Sequence, residues 1–181
     1  MRRAFSICLM ILFCLGCSEA ASSKGDEIQP LVNQEYIRVL QEQIDKARQE
    51  IIISSFLFKT SSSPTSYTHR IHASLRNAAH RGVRIRVLLE RSDRDEINRS
   101  NEKTALLLKD AGIEVFYDDP NKTTHIKLVI IDRSVVIMGS HNLTESALRY
   151  NNEASVLIRS QPLALYLLNY LKAIYPGAFK E

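Results

Sequence analysis

The stretch His125–Asn142, HIKLVIIDRSVVIMGSHN, holds two strand-like apolar runs, Ile126–Ile131 and Ser134–Met138, separated only by Asp132-Arg133. A connection that short forces an antiparallel hairpin, because a parallel return needs a crossover of a dozen or more residues. Side chains alternate faces along a strand, so His125 and Lys127 point the same way. The returning strand delivers Gly139, Ser140 and Asn142 back to the end where His125 began. Asp132 is left in the turn at the far end, where a structural role is expected: capping turn amides or pairing with a neighbour.

Outward from this hairpin, the periodicities switch between 3.6 and 2. A helix is expected over 33–50, on Tyr36, Ile37, Leu40, Ile44 and Ala47, followed by a strand over Ile51–Phe58. Pro64 marks a turn-like insert, 62–67, and the next helix carries Ile71, Leu75, Ala78 and Ala79 and stops at Gly82. Val83–Leu89 alternates Val83, Ile85 and Val87 against Arg84 and Arg86, as a strand with one solvated face does. A helix over 96–111 ends at Gly112, and a strand follows over Ile113–Tyr117. Beyond the hairpin come a short helix near 144–149, a strand over 154–159 and a helix over 162–175. The expected architecture is a single α/β domain with a mixed parallel and antiparallel sheet flanked by helices. No internal repeat or low-complexity tract interrupts it.

The polar ends of the hairpin suit one kind of chemistry. A histidine offers a nucleophilic nitrogen, a lysine a fixed positive charge, and a serine hydroxyl and asparagine amide offer neutral donors; together these match an anionic phosphoryl centre. Gly139 lets backbone approach closely.

The pattern H-x-K-x4-D-x6-G-S-x-N resembles the signature of the phospholipase D superfamily, with His125, Lys127, Asp132, Gly139, Ser140 and Asn142 filling every position. The resemblance runs from about residue 33 to the end. Asn142-Leu-Thr-Glu-Ser-Ala-Leu and Asn151-Asn-Glu153 look like the segment that follows the motif in small bacterial members. It implies a metal-independent phosphodiesterase without a cofactor, working through a phosphohistidine. One histidine attacks phosphorus, and a second protonates the leaving oxygen and later activates water. His125 would fill either role, Lys127, Ser140 and Asn142 would hold the non-bridging oxygens, and Glu153 resembles the acid that fixes the histidine's tautomer. The other histidines, His69, His72, His80 and His141, lack a lysine two residues on, so the second motif is expected from another subunit of a homodimer.

Composition bounds the rest. A chain of 181 residues, 45% hydrophobic and 24% charged, supports one sizeable core. Arg2 and Arg3 precede an apolar run from Ala4 to Leu15 and then small and polar residues, the pattern of a secretory leader over 1–23, with a linker over 24–32 and the catalytic domain over 33–181. Cys14-Leu-Gly-Cys17 resembles a lipoprotein lipobox, which leaves two outcomes: lipidation of Cys17 with membrane attachment, or ordinary cleavage near Ala20. Either way the product is exported, periplasmic or secreted. All three cysteines, Cys8, Cys14 and Cys17, fall in the leader, so the exported domain has no disulfide and no thiolate metal site.

Removing 1–20 takes Arg2, Arg3 and Glu19, a net +1, from the formal +4 and leaves a mildly basic +3. That balance permits nucleic acid or an anionic lipid headgroup. The bare single-motif core, without inserted loops for acyl chains, favours an endonuclease acting on DNA ahead of RNA. A phospholipid headgroup hydrolase and a non-catalytic nucleic-acid binding or uptake component are the alternatives. A subset of the arginines at 70, 76, 81, 84, 86, 91, 94 and 99 is a candidate phosphate groove. His69 and His72 read as a solvated helix face, since two histidines do not close a metal site.

Overall fold

Asp132 and Arg133 both adopt left-handed backbone, with φ of 48° and 52°, and Ser134 N donates back to the Ile131 carbonyl. That 3.1 Å bond closes the two-residue turn whose twist matches flanking strands, so the expected antiparallel hairpin forms. Its arms are β5 (Lys127–Ile131) and β6 (Val135–Gly139), paired from Leu128↔Met138 to Ile131↔Val135.

The computed structural model describes residues 27–91 and 94–179; the leader, with all three cysteines, lies outside the described residues. Around the hairpin stand β1 (Glu27–Val32), α1 (Glu35–Lys46), β2 (Glu50–Ser55), α2 (Tyr67–His80), β3 (Arg84–Leu89), α3 (Asp95–Asp110) and β4 (Glu114–Tyr117). After it come α4 (Glu145–Arg149), β7 (Ala154–Arg159) and α5 (Gln161–Ile174). Helices α2 and α3 stop where expected, because Gly82 and Gly112 take φ of 86° and 76°, which L-residues with a Cβ resist.

The seven strands lie in the order β1-β7-β6-β5-β2-β3-β4. β2, β3 and β4 run parallel, whereas β5 lies antiparallel to β2, and β6, β7 and β1 continue antiparallel. The sheet therefore changes character between β2 and β5. β2 is buried along its whole length, as a central strand covered on both faces must be.

Alternation along the strands divides the core. Ile51, Ile53, Val87, Val129 and Ile137 pack with helices α1, α2 and α3, whereas Ile52, Leu88, Leu128, Ile130 and Val136 pack with α5. The result is a helix–sheet–helix sandwich, the expected mixed α/β class.

One expectation needs correcting. The stretch 24–32 was expected to be a linker, but Glu27–Val32 forms edge strand β1, in register with β7 from Glu27↔Arg159 to Val32↔Ala154. Its single buried residue is Leu31, so it lacks the apolar alternation that marks a strand in sequence. Pro30 is tolerated there because an edge strand has one side free of ladder bonds.

Candidate active site

The carboxyl ends of the parallel strands β2, β3 and β4, the carboxyl end of β6 and the amino ends of β5 and β7 share one lip of the sheet. In open α/β sheets such a lip, at the point where strand order reverses, is where ligands bind. His125, Lys127, Ser140, Asn142 and Glu153 all stand on it.

His125 is exposed and held by two neighbours. Lys127 Nζ approaches its Nε2 at 3.2 Å, and the ring packs edge-on against Phe56 at a centroid distance of 4.4 Å. An ammonium can only donate, so Nε2 presents its lone pair and the ring proton belongs on Nδ1. Desolvation at the lip, and then the positive charges of Lys127 and Arg94, push His125 below the ordinary histidine range. A neutral imidazole with an available lone pair is the form a nucleophile needs. Phe56 also carries Lys127 Nζ 5.2 Å from its ring centroid, and its amide donates to the Ile126 carbonyl at 2.9 Å, so one ring positions both motif side chains.

Ser140 and Glu153 form the other half. The Ser140 hydroxyl donates to Glu153 Oε2, and Asn151 Nδ2 donates to Oε1 at 3.0 Å. Burial pushes the Glu153 carboxyl up, but those hydrogen bonds and the nearby Lys127 charge outweigh it and hold the group below the usual carboxylate range. Burial likewise lowers Lys127, with Glu153 opposing, so the two halves sense each other across the lip. One contact differs from expectation here. Within one chain Glu153 engages Ser140 and Asn151, not the His125 ring. The Ser140 hydroxyl donates to Glu153 and accepts the Ala154 amide at 3.1 Å, so it orients that acid at the lip. Asn142 is half-buried, and its Oδ1 has no hydrogen-bond partner among the described residues. A buried acceptor left unpaired costs about 1–3 kcal/mol and calls for a donor such as a hydroxyl, whereas the Nδ2 amide is the end of Asn142 that can donate to a phosphoryl oxygen.

The two structural positions of the motif explain themselves. A Cβ on Gly139 would stand 2.5 Å from the Ala154 carbonyl oxygen and closer still to Ser155, so β6 and β7 can pair this tightly only without one. Asp132 caps amides, though not those of its own turn. Its carboxylate accepts from Arg48, Gln49 and Glu50 at 2.9, 2.8 and 3.0 Å, fastening the α1–β2 connection to the hairpin.

Sequence reasoning passed over a clamp beneath the lip. Asn33, at φ 50°, donates its amide to the Glu153 carbonyl at 3.0 Å and accepts the Glu153 amide on Oδ1 at 2.9 Å. Its own carbonyl takes His141 Nε2 at 3.0 Å. A carbonyl only accepts, so His141 carries its proton on Nε2, and Nδ1 accepts from Ser155 Oγ at 2.7 Å. The ring is fully buried and stacks on Tyr36 at 4.2 Å. Burial pushes it below the ordinary histidine range. His141 thus fixes the turn between Ser140 and Asn142 as a neutral structural residue. Nothing local in the sequence marks Asn33, since its left-handed backbone and the strand before it are known only from the fold and its partner lies 120 residues on.

The remaining candidates separate by position. Arg94 acts on His125 at the lip, while Arg81 donates to the Ile44 carbonyl and Arg86 faces Glu50 and Glu114 at the opposite end. Among the described residues no group of three or more His, Cys, Asp or Glu is placed to hold a metal, and His69 and His72 each meet a backbone carbonyl instead.

Residues 40–175 match the family model described as cardiolipin synthase, PLD-like domain. The chain is 35% identical over 131 residues to a phospholipase D of Rickettsia conorii, an alignment spanning 71% of this chain and 59% of that one. It is 41% identical over 78 residues to the mouse mitochondrial cardiolipin hydrolase, covering 43% of this chain and 33% of the other. Among solved structures, a phospholipase D family member, Nuc from Salmonella typhimurium, superposes with a TM-score of 0.70 at 24% identity, over 82% of this chain and 93% of Nuc. The chain therefore spans less than two thirds of the Rickettsia relative and nearly all of Nuc's fold. With the complete signature gathered at one lip and the family model matched over most of its length, the chain belongs to the phospholipase D superfamily of phosphodiesterases.

Proposed function

We propose that this protein is an exported phosphodiesterase that cleaves nucleic acid as an endonuclease, with its active site completed by a second copy of the chain. The observation that carries the chemistry is the His125–Lys127 pair: a neutral imidazole whose Nε2 lone pair lies beside a fixed cation. Nε2 attacks phosphorus, a P–N bond forms as the P–O bond to the leaving group breaks, and Lys127 holds the charge on the non-bridging oxygens. The leaving oxygen takes a proton from the second histidine. That histidine then draws a proton from water, whose oxygen displaces His125 from phosphorus.

The described residues offer His125 as the one motif histidine, because His141 is buried and fully bonded. A two-fold axis at the lip would supply the second His125, and the two rings would then titrate as a pair.

Nucleic acid is favoured by the cations at the lip, Lys127 and Arg94, which act on His125 and suit a polyanionic backbone. The names of the curated relatives favour the second reading, hydrolysis at a phospholipid headgroup. Purified protein should cleave single-stranded or plasmid DNA in excess EDTA, and His125→Ala should not. Headgroup release from anionic phospholipid vesicles with no cleavage of DNA or RNA would replace this reading with the second. DNA binding without turnover of either substrate from pH 5 to 9 would leave a non-catalytic binding component.

A further inference from the structure

A cleft of about 400 Å³ opens directly beside His125, between the segment that leads into the motif and the last turns of α5. Asp118, Lys122, Thr124 and Ile126 line one side, Tyr170 and Ile174 the other. Its volume is that of a site for one small organic group. Tyr170 is 52% exposed although it stands on a helix that packs against the sheet, so its ring is available to a ligand.

The wall chemistry narrows the occupant. Two aspartates, Asp118 and Asp119, outnumber the single Lys122, so the cleft does not favour a second phosphate. An acyl chain would lie against the same charged groups and both threonines. A neutral, flat group with N–H or O–H donors fits better. Tyr170 offers a π-face, and Ile174 extends the apolar side. Asp118 is 7% exposed; its Oδ1 accepts from the Arg91 amide at 2.6 Å, and its Oδ2 has no hydrogen-bond partner among the described residues. An acceptor left idle at such a wall suits a base amine or a sugar hydroxyl.

We propose that this cleft is a nucleoside subsite, which takes the sugar and base on one side of the scissile phosphate and stacks the base on Tyr170. The proposal rests on the nucleic-acid reading and sharpens it. Base–aromatic stacking tolerates every base, so the subsite predicts a requirement for a nucleoside without a sequence preference.

Three chromogenic diesters test it: thymidine 5′-(4-nitrophenyl phosphate), thymidine 3′-(4-nitrophenyl phosphate) and methyl 4-nitrophenyl phosphate. The wild type should prefer at least one thymidine ester to the methyl ester in kcat/KM. In Tyr170→Ala that preference ratio should fall by about tenfold, the scale of one base stack, and Tyr170→Phe should keep it. An unchanged ratio in Tyr170→Ala would overturn the subsite, and so would an equal fall on all three esters, which reports general damage. The broader reading fails separately: a wild type that releases phospholipid headgroups and cleaves neither DNA nor any thymidine ester removes nucleic acid as substrate. DNA cleavage with the ratio untouched by Tyr170→Ala removes only the subsite.

Discussion

The two ends of one hairpin, fifteen Å or so apart for a five-residue strand at roughly 3.4 Å per residue, are built on opposite rules. At the turn end the charged groups are spent on one another and on backbone amides. Asp132 holds three amides, and Arg133 donates to the buried Glu50, which also faces Arg86. At the lip, groups are held but not exhausted: His125 is exposed with its lone pair beside an ammonium, and Asn142 Oδ1 lacks a partner. The same four-residue spacing that sends Asp132 into structure keeps Lys127 available for chemistry. Satisfied polar groups fasten a fold; polar groups oriented by neighbours yet left unsatisfied are what a substrate can complete.

Substitutions can break that contrast. The largest effect is expected from His125→Ala, which removes the nucleophile and should lower turnover by about 10⁴-fold or more while leaving the unfolding midpoint nearly in place. Single-turnover cleavage beside a urea titration reads both; loss of fold in proportion to loss of activity would erase the distinction. Lys127→Met comes next, at about 10²–10³-fold in kcat, since it deletes the charge placed on the phosphoryl oxygens.

At the turn end the expected pattern reverses. Asp132→Ala strands three amides and should cost about 2 kcal/mol in stability, with kcat per folded molecule unchanged. A purely structural position exists at the lip as well: Gly139→Ala drives a methyl into Ser155 and Ala154 and should cost about 3 kcal/mol by the same urea titration. If Asp132→Ala instead lowered kcat without destabilising, the two ends would not be independent.

Smaller effects concern pH. One His125 of the pair must be neutral to attack while the other carries the proton it donates; desolvation, Lys127 and Arg94 lower the ring, so the acid limb of kcat/KM, a property of the pair, should lie to the acid side of an ordinary histidine's. Lys127→Met removes one repelling charge and should move the residual limb upward; an unmoved limb would show that Lys127 does not reach His125. His141 is likewise lowered from 6.5, so the unfolded chain binds its proton more readily than the folded one. Stability from this source is full above pH 6.5 and declines as pH falls below it. His141→Gln should flatten that decline without abolishing it, because His125 contributes with the same sign, and urea midpoints from pH 7 to 5 would show it.

Much of the fold was legible because it is local. The Asp132-Arg133 turn dictates a hairpin, Gly82 and Gly112 mark helix ends, and the apolar run from Ile51 and the alternation of Val83–Leu89 mark strands. Strand β1 was not legible, because an edge strand with a proline and one buried side chain owes its conformation to β7, more than a hundred residues away. The ring platform of Phe56 and the Asn33 clamp on Glu153 were hidden for the same reason.

By itself the sequence determined the class of the sheet, the hairpin, the gathering of His125, Lys127, Ser140 and Asn142 at one end of it, and the family signature they complete. These follow from periodicity and turn chemistry, which act over a few residues. Only the tertiary structure decided that Glu153 is held by Ser140, that Asp132 fastens the α1–β2 connection, that His141 is a buried neutral strut, and that a cleft borders His125. Each of these depends on which distant segments pack together, and that is set by the burial of the whole core.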